Sequence, residues 1–517
     1  MNKILASFIL VWTVCTVQAQ TQSKTVPLSL KDCITRALDQ NLNISVEKLN
    51  PEMADISVSQ AKEKYLPQLS LAMNQRNTNS ASFSWLDAAD QVETEYQFYT
   101  AEMSQLVPTG GSFSVSLETS QNETNRKFQT INPRYGSTLT FDFVHPLLRN
   151  FGFTVNNRDI ILARNNANIS ESRFKSVVLE TIYSVESAYW NLVYSIENLK
   201  ARQQSLELAK DLLERNKRSV EIGRLAPIDL QSAMAEVATR EADILEAEAL
   251  VQNNQDLLKT LINLQTEDLQ SDITITPLDK PLVEEENISL QKALELARLN
   301  RPDLQEIKYD IKNQDLEVKY AKNQLLPDLN LQASYWSPGI SGTRLLYQNN
   351  DPTTGRVIGT IAGGSNDAFK DAYNFKYENW SVSLSLDIPL NTVFARNQLA
   401  ESIVSRDQAK LRQQNLEQQL LLEIKTANRS VETNLKRVNA YRIARELTEK
   451  KLETEEEKFR LGNSTNYDVF LFQRDLSDAR SSELRAIIDY NLSLSYRELV
   501  LGTSLETKNV QLEDVRY

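Results

Sequence analysis

Histidine occurs once in the 517 residues, at His145, and cysteine twice, at Cys15 and Cys33. A single imidazole nearly removes Ser-His-Asp, Cys-His and His-ligated zinc chemistry. No P-loop, dinucleotide fingerprint or paired-cysteine motif stands in its place, so no enzymatic centre, cofactor or metal site is expected. Carboxylates are plentiful, but in amphipathic stretches they form a wet face. Positive charge is in the minority: 57 Lys and Arg against 69 Asp and Glu leave a net charge of -12. Phosphate neutralisation needs a clustered cationic excess, so nucleic acid is not an expected partner.

Long apolar runs are missing too. The longest, Ile4 to Val17 in "MNKILASFILVWTVCTVQA", follows a basic Lys3 and runs into Val-Gln-Ala, the layout of a secretory signal peptide. Its roughly 14 apolar residues fall short of the ~20 that a spanning helix needs, so residues 1–19 are expected to be cleaved. The bulky Val14 before Cys15 argues against lipidation. Cys33 is then left without an intrachain partner and is expected as a small buried residue.

Glycine and proline are absent from long stretches, and there uninterrupted helix is allowed. Between Phe153 and Pro338 the only glycine is Gly223, and after Gly364 only Gly462 and Gly502 remain. Proline is absent between Ile228 and Thr276 and after Pro389. By contrast Gly339, Gly342, Gly355, Gly359, Gly363 and Gly364 crowd one segment, which predicts a long loop.

What is present is written twice. Leu30, Ala37, Ile44 and Ala61-Lys62 meet Leu290, Ala297, Leu304 and Ala321-Lys322 at one constant offset, and "LPQLSL" (66–71) meets "LPDLNL" (326–331). Further on, "IGRLAPID" (222–229) meets "LGNSTNYD" (461–468). The predicted organisation is a first repeat at 28–265, a linker at 266–287, a second repeat at 288–503 and a tail at 504–517. Each repeat runs helix, strands, long helical hairpin.

Within the hairpins, Val178, Ile182, Val185, Tyr189, Leu192, Ile196 and Leu199 recur at steps of four and three, and Leu206, Leu213 and Val220 follow every seventh place. Leu421, Ile424, Val431, Leu435 and Val438 repeat the pattern around a polar Asn428. This is coiled-coil spacing. A helix from Asn156 to Ile222 would be roughly 100 Å long, with shorter partners at Ile228 to Ile262 and Ile44 to Tyr65. Gly223 and Gly462 stand where a helix end wants a left-handed residue, and an acid follows each six residues later. Thr465 to Asp468 has capping-box spacing, and Pro227 with Asp229 fits the first and third helical positions. On local physics alone both acids are capping residues.

The strands alternate. "LNLQASYW" sets Leu329, Leu331, Ala333 and Tyr335 against polar neighbours, and "SVSLSLDI" does so with Val382, Leu384, Leu386 and Ile388. "SLAM", "SFSVSLET" and "STLTFDF" repeat the alternation in the first half. With Trp85, Trp336, Phe375, Tyr377 and Trp380 nearby, such strands describe either a half-buried sheet or a membrane barrel with aromatic girdles. One chain has too few of them to close a water-filled barrel.

The duplicated Leu-Pro-x-Leu junctions, the "HPLLRNFG" and "DIPL" junctions and the paired Gly-x5-Asp turns together resemble the TolC-like outer-membrane efflux protein family, the outer membrane factors, from Leu28 to about Gly502. The resemblance implies a mainly α fold with membrane β. A homotrimer, four main strands per chain, would form a twelve-stranded outer-membrane barrel continuous with a periplasmic helical coiled-coil barrel. It implies a passive exit duct with three kinds of neighbour: outer-membrane lipid, a periplasmic adaptor (membrane fusion) protein and an inner-membrane RND or ABC transporter. The tip turns and aperture would be Gly223, Arg224, Leu225, Asp229, Gly462, Asn463, Ser464 and Asp468, and the aromatic girdle Tyr335, Trp336, Tyr377 and Trp380. Two departures stand out: Leu471 where a second aperture acid would lie, and Ser464 where the second tip would carry an arginine. Residues 77–134 imply an added hairpin, extending a strand pair or capping the outer mouth. The same scaffold also serves as a conduit for type I protein secretion. A periplasmic coiled-coil scaffold would share the helices but leave the alternating strands unexplained.

Overall fold

The computed structural model describes residues 25–84, 87, 89–223, 226–264 and 273–511. In chain order the elements are β1 (Thr25–Leu28), α1 (Leu30–Gln40), α2 (Leu42–Glu63), β2 (Gln68–Ala81), β3 (Gln91–Leu106), β4 (Ser112–Thr124), β5 (Ile131–Pro146), α3 (Phe153–Asn156), α4 (Arg158–Glu221) and α5 (Pro227–Leu261). There follow β6 (Thr274–Pro277), α6 (Leu290–Asn300), α7 (Pro302–Asn323), β7 (Asp328–Tyr347), β8 (Val357–Ile361), α8 (Ser365–Tyr373), β9 (Asn379–Asp387), α9 (Val393–Arg460), α10 (Asn466–Leu501) and α11 (Ser504–Thr507). The expected helices 44–65, 156–222 and 228–262 correspond to α2, α4 and α5, because glycine and proline mark their ends locally. Contacts divide the chain into two compact units, each drawing on both halves of the sequence.

The helical unit takes in the described residues of Met1–Lys48, Phe174–Pro302 and Glu417–Tyr517. Its main core is built on α4, where the seam residues Val178, Ile182, Val185, Tyr189 and Leu192 are buried against Cys33, Ala37, Leu258, Ile262, Ile275 and Ile488. Cys33 is the expected small core residue, and burial pushes its thiol up to about 12. Further along α4 the predicted seam drifts: Ala209 and Leu212 are buried, with Leu206 and Leu213 only packed against them. A straight helix turns 3.6 residues at a time and slips against a strict sevenfold repeat. In the second half Ile424, Val431 and Val438 are buried as the spacing requires.

Local chemistry sets the helix starts. Ser29 and Asp32 form a full capping box on α1, with Ser29 N donating to Asp32 Oδ2 at 3.0 Å and Asp32 N to Ser29 Oγ at 3.1 Å. The described part of the linker is docked rather than free. β6 pairs in parallel with β1, and the Tyr490 hydroxyl donates to the Glu284 carbonyl. Arg497, 3% exposed, reaches Glu286 Oε2 at 2.5 Å.

The sheet unit takes in Leu49–Arg173 and Asp303–Leu416. Its seven strands run β2-β3-β4-β5-β7-β8, with β9 also on β7. Beside the four main strands expected, the sheet carries the added hairpin expected within residues 77–134: β3 and β4 stand between β2 and β5. The glycine-rich 339–364 segment is not one long loop either, since β7 continues through Gly342 to Tyr347 and β8 pairs with it. Glycine there serves close approach. A Cβ on Gly339 would lie 2.0 Å from the Ala368 carbonyl oxygen of α8, so Gly339→Ala is expected to lift α8 off the sheet at a cost of about 1–3 kcal/mol. Limited proteolysis between β8 and β9 would show it, with cleavage there accelerated and the sheet itself still protected.

Candidate functional site

The two turns between long helices come first. α4 ends at Glu221, and Gly223 takes φ +73, a conformation that a side chain disfavours. The chain restarts at Ala226, where Pro227 occupies the first helical position and Asp229 Oδ2 accepts from Ala226 N at 3.2 Å. Ala226 has no side-chain oxygen to return the bond, so this is half a capping box. Arg224 and Leu225 lie outside the described residues.

The second turn is more fully tied. Gly462 takes φ +77, and Asn463 N donates to Lys458 O at 2.9 Å. Thr465 and Asp468 cap each other: Thr465 Oγ1 donates to Asp468 Oδ2 at 2.5 Å, and Asp468 N to Thr465 Oγ1 at 3.3 Å. The Thr465 hydroxyl and backbone N–H hold the Asp468 carboxyl below its ordinary range. Ser464 turns back to donate to Glu455 Oε1 at 2.6 Å, and that bond, with Lys458 next to it, keeps Glu455 low as well. Both carboxylates are thus ionised at neutral pH.

Behind these turns sits a residue that the sequence did not flag. Arg240 is 4% exposed, its Nη1 donates to Ser205 O at 2.7 Å and its Nη2 to Phe470 O at 3.4 Å, while Glu236 Oε1 lies 3.1 Å away. Burial lowers its basicity, and Glu236 opposes that. It therefore ties α4, α5 and α10 together within the cluster of Ala209, Leu212, Ala233, Val237, Val469 and Phe470. The signal available was its spacing: Ala233, Val237 and Arg240 fall on one face of α5. On two of the same three helices, α4 and α10, Asn216 Nδ2, Gln473 Oε1 and both amide atoms of Asn466 are buried without a hydrogen-bond partner.

The second surface is the sheet. Register aligns Leu69, Met103, Val115, Phe141, Tyr335 and Trp380 in one row across six strands, and Leu71, Ala101, Leu117 and Leu139 in the next. These rows share one face, and on β2 and β9 it is bare: Leu71 is 74% exposed, Leu384 64% and Trp380 74%. The opposite face carries Ser70, Glu102, Ser116 and Thr140 at the matching level. Tyr335 and Trp380 are register partners on the apolar face. Trp336, the next residue along β7, points to the polar face, so the expected girdle is split. Tyr377 precedes β9 and is 53% exposed, and Trp85 is outside the described residues. Phe375 stacks between Phe141 and Tyr335.

The lone His145 is structural in its contacts: Nε2 meets Thr109 Oγ1 at 2.9 Å and the ring packs against Phe143 and Phe151. Among the described residues there is no cluster of His, Cys, Asp or Glu able to hold a metal ion, and no helix long and apolar enough to cross a membrane.

The family model described as "Outer membrane efflux protein" matches residues 99–264 and 293–494. The chain is 22% identical over 432 residues to the outer membrane protein TolC of Vibrio cholerae, covering 81% of this chain and 88% of that one. Among solved structures, the CmeC outer membrane channel of Campylobacter jejuni superimposes with a TM-score of 0.64 at 15% identity, over 94% of this chain and 90% of that one. The outer membrane protein VceC of Vibrio cholerae gives 0.63 at 15% identity, over 92% and 96%.

Proposed function

The chain belongs to the outer membrane efflux protein family, and from that premise we propose that it is the exit duct of a tripartite efflux system. It is an outer-membrane channel protein extending into the periplasm. In this reading three copies share one barrel, and the long helices form the periplasmic conduit. The turns around Gly223 and Gly462 face a periplasmic adaptor protein joined to an inner-membrane RND or ABC transporter. The duct is passive, and energy comes from the transporter. The observation that carries the reading is the sheet face on which aligned rows of Leu, Met, Val and aromatic side chains stand bare on β2 and β9. A sheet with one apolar and one polar face suits a wall between lipid and a wet lumen.

Opening at the turns would be a population shift, in which the adaptor binds the open arrangement better. The buried amides of Asn216, Asn466 and Gln473 support this, because an unpartnered buried polar group costs about 1–3 kcal/mol and so narrows the gap between packed and parted helices. Asp229 and Asp468 sit at the first turns of α5 and α10, where a carboxylate favours the helix start.

The mass of the particle extracted from outer membranes in detergent tests the reading. Three chains per particle are expected; a water-soluble monomer absent from that membrane would overturn it. At the turns, Asp229→Ala and Asp468→Ala are expected to leave that mass unchanged but raise resting conductance. The Asp468 effect should depend on pH with a definite sign. Its depressed pKa means the cap contributes fully above the ordinary value of 3.8 and is lost as pH falls below it, so wild type and Asp468→Asn should differ at neutral pH and converge at strongly acidic pH.

A further inference from the structure

The pairing of β3 and β4 has a consequence for the wall itself. β2 pairs with β3 without interruption from Gln68↔Ser104 to Ala81↔Gln91, β3 with β4 from Thr94↔Thr124 to Leu106↔Ser112, and β4 with β5 from Ser112↔Val144 to Asn122↔Arg134. These are strands of 13 to 16 residues, longer than the ~9–11 that cross a bilayer as tilted strands. In the half next to their connecting turn their alternation keeps phase with the rest of the sheet: Met103 and Val115 continue the row from Leu69 to Phe141, and Ala101 and Leu117 the row from Leu71 to Leu139, while farther from the turn Glu93, Glu95 and Glu123 stand on that same face. A hairpin lying over an outer mouth has no reason to keep that phase, and one standing in the wall must. The turn between them is short, with Val107 N donating to Gly111 O at 2.7 Å, and it is held near the end of β5, where Gly152 N donates to Thr109 O at 2.9 Å.

Two edges remain. Among the described residues β2 pairs only with β3, and on the other side β9, like the short β8, only with β7. Their apolar side chains are bare on one face: Leu69 is 71% exposed and Met73 67% on β2, Val382 62% and Leu386 54% on β9. An unpaired edge is a template for another strand. Every step from β2 through β3, β4, β5 and β7 to β9 is antiparallel, so β2 and β9 run in opposite directions and can pair antiparallel between copies. The occupant that fits each edge is the other edge of a second copy of this chain.

We propose that the β3–β4 hairpin is part of the outer-membrane wall. Each copy contributes six long strands, and three copies close an eighteen-stranded barrel through β2 of one copy against β9 of the next. This rests on the trimeric reading above and goes beyond it, because that reading alone implies twelve strands. Barrel diameter grows roughly in proportion to strand number, so the added pair widens the bore by about half and sets the size of cargo that the outer end admits. The widened wall also brings Glu102 and Glu118 onto the polar, inward face, since they alternate with Met103 and Leu117.

Electron microscopy of the intact protein in lipid nanodiscs tests this directly. A threefold ring of eighteen strands is expected. A threefold ring of twelve, with residues 91–124 outside it, would overturn the inference and leave the trimeric duct standing, whereas a particle without threefold symmetry would sink both. Cysteine pairing gives an independent reading. Ala72→Cys in β2 combined with Ser381→Cys, Ser383→Cys or Ser385→Cys in β9 is expected to give covalently linked chains on oxidation for at least one pair. Ala72→Cys with Thr138→Cys in β5 is expected to give no bridge: two strands intervene, placing the sites roughly 14 Å apart, beyond disulfide reach. A bridge within one chain at that second pair, or no link between chains at any of the first three, would overturn the proposal.

Discussion

Replacing Arg240 by alanine is expected to cost about 3 kcal/mol and to loosen the helix ends behind the two turns while the rest of the chain stays folded. The guanidinium is nearly fully buried and serves three elements at once, donating to the Ser205 and Phe470 carbonyls and pairing with Glu236. Truncation leaves those carbonyls short of a donor and opens a void beside Leu212, Val237 and Phe470. Glu236 is partly exposed, at 27% of its side chain, so water takes up part of its lost pairing, which keeps the cost at the lower end for a broken buried pair. Hydrogen exchange reads the effect best. At 1.4 kcal/mol per factor of ten, local opening of α5 and α10 near the turns should rise roughly a hundredfold, with no change at β5 or β7. Arg240→Met keeps the stem but not the donors and should fall between wild type and alanine. Equal exchange in wild type and alanine would mean that the helix ends are held by the apolar cluster alone.

That residue also shows where reading the sequence stops. Helix limits were legible because glycine, proline and capping residues act within a turn: Gly223, Gly462, Thr465 and Asp468 do what their neighbours dictate. Strand phase was legible for the same reason, since Leu329 to Tyr335 and Val382 to Leu386 carry their alternation in adjacent residues. Partnership was not. Nothing local in "QVETEYQFYTAEMSQL" says that it pairs with β2 on one side and β4 on the other, and its glutamates suggest a surface hairpin; register places Glu102 on the polar face, with Glu93 and Glu95 beyond the apolar rows on the face of Ala101 and Met103. Gly339 and Gly342 looked like loop residues because glycine marks both turns and close contacts, and only the positions of Ala368 against Gly339 and Pro133 against Gly342 separate the two. Trp336 was grouped with Tyr335 by type, although the pleat sends adjacent residues to opposite faces. Arg240 was lost among neighbouring charges, because burial of a charge depends on what two other helices bring to it.

Tyr189→Ala is the other substitution with a large expected effect, about 4 kcal/mol. The ring is fully buried at the centre of the helical unit, edge-on to Trp190 with centroids 5.4 Å apart. Its hydroxyl donates to Asp279 Oδ2 at 3.0 Å and accepts from Asp279 N at 3.1 Å, and the same carboxylate oxygen receives Leu30 N at 2.6 Å. Burial pushes the phenol's pKa up, so it remains a donor through the neutral and mildly alkaline range. The β1–β6 pair beside it has two strands of four residues, too small to stand alone, and depends on this anchor. Tyr189→Phe separates the two contributions. It keeps the ring and loses only the hydroxyl, and because Asp279 is exposed, water can replace the lost partner, for an expected cost of about 1 kcal/mol. Chemical denaturation should therefore rank wild type, phenylalanine and alanine with a small step and then a large one, and exchange at Val26 to Leu28 should follow the large step. If phenylalanine proved as damaging as alanine, the Asp279 network rather than ring packing would be what holds the β1–β6 pair to α4.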